Sequence, residues 1–104
     1  MSRFGFLPEA LTDVEEAAEW YEDQRSGLGA ELLDEFNSCL AAAIETPGSG
    51  SLSGTTAEGN AIRRYRLNRF RRYAILMAVI HDMPTVVAFE HSSRQPRFWK
   101  DRVK

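Results

Sequence analysis

The stretch Tyr73-Ala74-Ile75-Leu76-Met77-Ala78-Val79-Ile80 is the part of the chain on which the fold depends most. All eight residues are apolar, and several are β-branched or aromatic side chains that favour strands. A strand with one solvated face alternates polar and apolar residues, whereas an uninterrupted apolar run of this length indicates burial on both faces. We therefore predict a central strand over residues 73–80.

The segment before this stretch has the alternation of a strand with two unlike faces. In Arg63–Asn68, Tyr65 and Leu67 fall on one face, and Arg64 and Arg66 fall on the other. We expect Tyr65, and Phe70 shortly after this segment, to pack in the core.

A third strand is predicted over Thr85–His91, after a turn at Asp82-Met83-Pro84. Its residues alternate between two faces, with Val87, Phe89 and His91 on one and Val86, Ala88 and Glu90 on the other. Both connections are short, so the three strands should form an antiparallel meander.

The N-terminal half is predicted to hold a short strand, Arg3–Leu7, and two helices. Thr12-Asp13-Val14-Glu15 matches a capping box, so the first helix should begin there, after a lead-in turn over Pro8–Leu11, and continue to about Gln24. After a break at Ser26-Gly27, a second helix carries an apolar stripe at steps of three and four: Leu28, Leu32, Phe36, Cys39, Leu40, Ala43 and Ile44. So brief a break predicts an antiparallel helical hairpin.

The remaining segment, Thr46–Asn60, is rich in Gly, Ser and Thr and lacks periodicity, so we predict a loop. The resulting fold class is α+β with the order β-α-α-β-β-β, in one domain over residues 1–104. An antiparallel sheet should carry the helical hairpin on one face. The opposite face, with Arg64 and Arg66, would be the working surface.

Charge is distributed very unevenly along the chain, although the net charge is only −2. Residues 1–61 hold two basic and twelve acidic residues, which gives −10, and residues 62–104 hold eleven basic and three acidic residues, which gives +8. The basic residues are mostly arginines, whose planar guanidinium suits phosphates and carboxylates. The C-terminal half is therefore predicted to recognise an anionic partner.

Other features restrict the class of protein. Cys39 is the single cysteine, so an intrachain disulfide is excluded and a reducing compartment is indicated. No apolar run approaches the length of a membrane helix, and the N-terminus does not read as a signal peptide, which predicts a cytoplasmic protein. His81 and His91 are ten residues apart and Cys39 is alone, so neither a metal nor a cofactor is expected.

The last fourteen residues are His91-Ser92-Ser93-Arg94-Gln95-Pro96-Arg97-Phe98-Trp99-Lys100-Asp101-Arg102-Val103-Lys104. The spacing His-x-x-Arg-x-Pro-x-Phe-Trp-x-x-Arg resembles the tail of the RelE/ParE superfamily, the toxins of type II toxin–antitoxin modules, and fits its ParE-like branch best. Trp20-Tyr21 resembles a Trp-Tyr pair of the same family, which should pack between hairpin and sheet. The family's order of elements is the one predicted above from the residues.

The resemblance implies a bacterial toxin of the plasmid-stabilisation type that inhibits growth by binding an essential target, in the best-known members DNA gyrase. The implied target-binding residues are Arg64, Arg66, Arg94, Arg97, Trp99 and Arg102. It also implies a cognate acidic antitoxin that lies across the sheet and the arginines in a hetero-oligomer.

Two alternatives stay open. RelE-like members cleave messenger RNA in the ribosome, a role in which His91 would act as acid or base with Arg66 and Arg94 neutralising charge. Nuclease members often have a terminal tyrosine where this chain has Phe98, and we favour the interpretation of His91 as a half-buried residue that anchors the tail. The other alternative is a non-toxic interaction module of the same fold.

Overall fold

The computed structural model describes residues 4–95 and 97–103, and it is an α+β fold with two helices and one five-stranded sheet. Its elements are β1 (Gly5–Phe6), α1 (Pro8–Gln24), α2 (Leu28–Glu45), β2 (Ser51–Thr55), β3 (Ala61–Arg66), β4 (Tyr73–Ile80) and β5 (Met83–His91), with short 3-10 turns at Pro47–Ser49 and Phe98–Arg102. Arg3, Pro96 and Lys104, which belong to the predicted first strand and the tail, lie outside the described residues.

The sheet has the strand order β1-β5-β4-β3-β2, with β4 at its centre. The predicted central strand over 73–80 and the antiparallel meander of β3, β4 and β5 are confirmed. The prediction of a wholly antiparallel sheet is wrong, because β1 pairs with β5 in parallel. Short connections determine direction only between consecutive strands, and β1 is separated from β5 by the rest of the chain.

The predicted loop over 46–60 is also wrong, because it contains the edge strand β2. Among the described residues β2 pairs with β3 alone, and the pairing skips Ser53, so a bulge interrupts the strand. Its small polar residues lack the apolar alternation of a half-buried strand. Two glycines permit close packing here: an added Cβ would lie 2.6 Å from the Tyr65 ring at Gly50 and 2.7 Å from Trp99 at Gly54.

The helical hairpin is confirmed, but α1 begins at Pro8 and not at the predicted capping box. Proline suits the first helical turn because its missing N–H would have no partner there. Thr12 lies inside the helix, where its hydroxyl donates to the carbonyl of Pro8 at 3.3 Å. The start of α2 is capped from α1, since the Glu22 carboxylate accepts hydrogen bonds from the backbone N–H groups of Gly27 and Gly29.

The apolar residues form two layers, one on each face of the sheet. The first lies between hairpin and sheet and includes the predicted core residues Tyr65 and Phe70. Tyr21 packs there against Phe70, with ring centroids 4.9 Å apart. Trp20, expected beside it, is instead exposed, because neighbouring residues on a helix point in different directions.

The second layer lies between the other face of the sheet and the C-terminal segment, and contains Ile62, Leu76, Ala78, Val87, Ala88, Trp99 and Val103. Val87 belongs to this layer because of a bulge in β5. Leu76 pairs with Ala88 and Met77 with Val86, so Val87 is the extra residue between the two pairs. The expectation that Val87 shares a face with Phe89 is therefore wrong. Val86 faces the helices with Phe89.

The connection between β4 and β5 is tighter than predicted. His81 and Asp82 both have positive φ, at 51° and 62°, and Ile80 pairs with Met83. The connection is therefore a two-residue hairpin turn. Met83 and Pro84, which were predicted as part of the turn, belong to β5.

Gly54→Ala should destabilise the protein by about 1–3 kcal/mol, because the added methyl forces the Trp99 ring out of its position over β2. The measurement is urea unfolding. Gly48→Ala is the matched control: nothing lies within 4 Å of a Cβ there, and its unfolding free energy should change by less than about 0.5 kcal/mol. Equal stability of the two variants would contradict the packing of Trp99 described above.

Candidate functional site

The C-terminal segment, described over residues 92–95 and 97–103, packs onto the sheet through Phe98, Trp99 and Val103. Trp99 is only 4% exposed and Val103 is buried, and both contribute to the second apolar layer. The face opposite the hairpin is therefore partly covered by the chain's own tail.

An ion pair between α1 and the tail holds this segment in place. Arg102 donates from Nη1 to Oδ2 of Asp13 at 2.6 Å and from Nη2 to Oδ1 at 3.2 Å. The two side chains are only 13% and 9% exposed. A bidentate pair with so little solvent access is strong and strictly oriented.

The same pair satisfies the backbone of β5 where β1 ends. β1 and the residue after it pair with β5 only as far as Val86, whose carbonyl accepts from Leu7 N at 3.0 Å. Beyond that point Arg102 donates to the carbonyl of Val87 at 3.2 Å, and Asp13 accepts from the N–H of Phe89 at 3.2 Å. Two side chains thus take the place of a neighbouring strand.

The Phe98 ring contacts two guanidinium groups next to the Asp13–Arg102 ion pair. The guanidinium carbon of Arg94 is 4.0 Å from the Phe98 ring centroid, and that of Arg102 is 5.1 Å away. Arg94 also lies 3.9 Å from Oδ1 of Asp13, although it is substantially exposed. Phe98 therefore supports two arginines by cation–π contacts.

The predicted target-binding residues separate into two groups. Arg66, Arg94 and Arg97 are exposed, and so is Lys100 on the tail. Trp99 and Arg102 are internal and serve to hold the tail.

Arg64 belongs to neither group, because its exposure is intermediate. Its side chain is 30% exposed and its Nε is 3.1 Å from a carboxylate oxygen of Glu90. This Nε makes no well-directed hydrogen bond, so the contact is chiefly electrostatic. Register places Arg64 opposite Leu76 and Glu90 opposite Ala74, so the pair crosses β4 diagonally.

Two grooves adjoin the exposed basic residues. The tail groove, of about 650 Å³, lies between β2 with the turn after it and the C-terminal segment, and both Arg97 and Lys100 line it. The second, of about 470 Å³, runs between α2 and β3 and is lined by Arg64 and Arg66. Cys39 also lines it, and burial, aided by the charge of Glu35, raises the pKa of this thiol. The thiol is thus a poor nucleophile.

His91 is held on the helix-side face of the sheet, away from Arg64 and Arg66. Its ring packs edge-on against Tyr73 at 4.9 Å. Its Nδ1 accepts a hydrogen bond from the backbone N–H of Ser93 at 3.0 Å, and the Ser93 hydroxyl oxygen lies 2.7 Å away. Because Nδ1 is an acceptor, the neutral ring carries its proton on Nε2. His91 and Ser93 are two positions apart, so these contacts belong to a local turn at the end of β5.

Asp13 is the important residue that sequence reasoning missed. The sequence pattern indicates it only as the second residue of a capping box, whereas in the structure it pairs with Arg102, 89 positions away. No local pattern indicates such a pairing.

Within the described residues, no group of three or more His, Cys, Asp or Glu side chains could hold a metal ion. No helix in that part of the chain is long and apolar enough to cross a membrane. The chain matches no known protein-family model, and a comparison with curated proteins finds no similar sequence.

Asp13→Ala and Arg102→Ala should each cost about 3 kcal/mol of unfolding free energy, because each removes the bidentate partner of a nearly buried charge. The double variant should cost clearly less than the two single effects together. Urea unfolding measures all three, with Arg97→Ala as an exposed control of little effect. Strictly additive losses would show that the two residues act independently.

Proposed function

We propose that the protein is a toxin of the RelE/ParE superfamily, in its ParE-like branch, with that family's fold. It arrests growth by binding an essential target, DNA gyrase in the best-known members, and a cognate acidic antitoxin neutralises it. The family assignment rests on the tail spacing, the Trp-Tyr pair and the order of elements.

The observation that carries a binding role is the locked tail. The Asp13–Arg102 pair and the buried Trp99 fix the segment, while Arg94, Arg97 and Lys100 remain exposed on it. A rigid segment loses little conformational entropy when it binds, so its charges are well suited to an acidic protein surface. In this proposal Trp99 and Arg102 act by positioning the tail, and the exposed basic residues make the contact.

The nuclease alternative receives less support. His91 lies on the helix-side face of the sheet, with Tyr73 and Phe89. Arg66 pairs with Ala74, and its side chain lies on the opposite face. Two of the groups required for phosphate chemistry, His91 and Arg66, are therefore on opposite faces of the sheet. Phe98 has no hydroxyl with which to transfer a proton.

The antitoxin is expected to be an acidic, amphipathic segment that covers the exposed arginines and gives a hetero-oligomer. Exposed basic residues lie near both grooves, which suits a long segment with several carboxylates. Ordering that segment costs conformational entropy, which a large interface offsets.

The test is induction of the protein in bacteria without its antitoxin, with labelled thymidine and labelled methionine followed in parallel. The proposal predicts an early fall in DNA synthesis while translation continues. The double variant Arg97→Ala/Lys100→Ala should inhibit growth about tenfold less, since it removes two contact charges without disturbing the anchor. Arg25→Ala, an exposed arginine of the helical hairpin, is the matched control and should retain full inhibition.

Other outcomes would replace the proposal. Immediate loss of translation with codon-phased cleavage of messages, abolished by His91→Gln, would favour the ribosome-dependent nuclease. Unimpaired growth with folded protein present would identify a non-toxic interaction module.

A further inference from the structure

The helical hairpin leaves one end of its own sheet face uncovered. α2 ends at Glu45, while β4 and β5 continue, so Val79 is 48% exposed although it belongs to an apolar strand. Val79 pairs with Pro84 at this end of the sheet. Together they border a groove of about 200 Å³, the helix-side groove, lined chiefly by Ile44, Pro47, Arg63, Met77, Val79 and Pro84.

Arg63 gives this apolar groove a positive charge. It is half-buried, and its Nη1 donates to the carbonyl of Gly50 at 2.8 Å. The other half-buried arginines each have a carboxylate, Glu90 for Arg64 at 3.1 Å and Asp13 for Arg102 at 2.6 Å. In the part of the chain that the structure describes, no carboxylate lies within 4 Å of the Arg63 guanidinium.

An anion that reaches Arg63 while its neighbours bury apolar surface gains charge pairing and hydrophobic burial together. The groove is smaller than the ~300 Å³ at which pockets begin to take drug-sized ligands. Its size suits one large side chain, as in the anchor pockets of protein interfaces. The wall is fixed, because the Tyr65 hydroxyl donates to the carbonyl of Pro47 at 2.6 Å.

We propose that the helix-side groove binds a protein partner through one aliphatic side chain of an acidic segment, with a neighbouring carboxylate of that segment paired with Arg63. The groove is on the opposite face of the sheet from Trp99 and the tail. The inference therefore does not depend on the proposed toxin activity, and it adds a second contact surface to the exposed basic residues of the tail.

The probe is the capped dipeptide Ac-Leu-Glu-NH2, compared with its uncharged analogue Ac-Leu-Gln-NH2, in an NMR titration of methyl resonances. The Glu peptide should shift the methyls of Met77 and Val79 saturably and leave those of Leu52, in the tail groove, unchanged. It should bind roughly fivefold more tightly than the Gln peptide, because only its carboxylate pairs with Arg63.

Two variants make the test specific. Arg63→Gln should abolish the difference between the peptides. Val79→Glu changes an exposed position and should weaken binding of the Glu peptide, because it places a carboxylate of the chain itself in the groove. This variant tests the charge pairing even if Arg63→Gln fails to fold.

Equal affinity of the two peptides for the unmodified protein would overturn the charge pairing, and absence of saturable shifts at Met77 and Val79 would overturn the site. Shifts of the same methyls on concentrating the protein alone would identify a second copy of the chain as the occupant and overturn the partner proposed here. Growth inhibition is measured separately, so peptide binding without toxicity would remove the proposed function and leave this inference standing.

Discussion

The ion pair between Asp13 and Arg102 is the interaction on which the rest of the structure depends. It joins α1, the edge of β5 and the C-terminal segment, which come from both ends of the chain. Its physical origin is the shortness of β1, which leaves backbone groups of β5 without a neighbouring strand. Buried N–H and C=O groups need partners, and here charged side chains provide them.

Because this pair fixes the tail, the sheet has two apolar layers instead of one solvated face. The central strand β4 is buried on both sides, by the helical hairpin and by Trp99 with its neighbours. Trp99 fits only because Gly54 on the edge strand has no side chain. A segment that looks like a basic tail in the sequence is thus part of the core and also the support for exposed charge.

The arginines of the C-terminal half have distinct roles that their number does not reveal. Arg64 and Arg102 are paired with carboxylates, and Arg66 and Arg97 are exposed to solvent. Arg63 is half-buried beside an apolar groove. The anionic partner inferred from charge alone would meet the exposed residues first, since the paired ones are already neutralised.

Local patterns were sufficient for the helical hairpin, the central strand and the antiparallel meander, because periodicities of 3.6 and 2 residues report directly which faces are buried. They also identified Tyr65 and Phe70 as core residues. They failed at β2, an exposed edge strand of small polar residues whose pairing with β3 decides its conformation. Three other features depend on contacts between distant parts of the chain: the parallel pairing of β1, the bulge at Val87 and the ion pair of Arg102 with Asp13. Only the tertiary structure decided them, because the free energy of such contacts comes from burial and pairing that no short window of sequence contains.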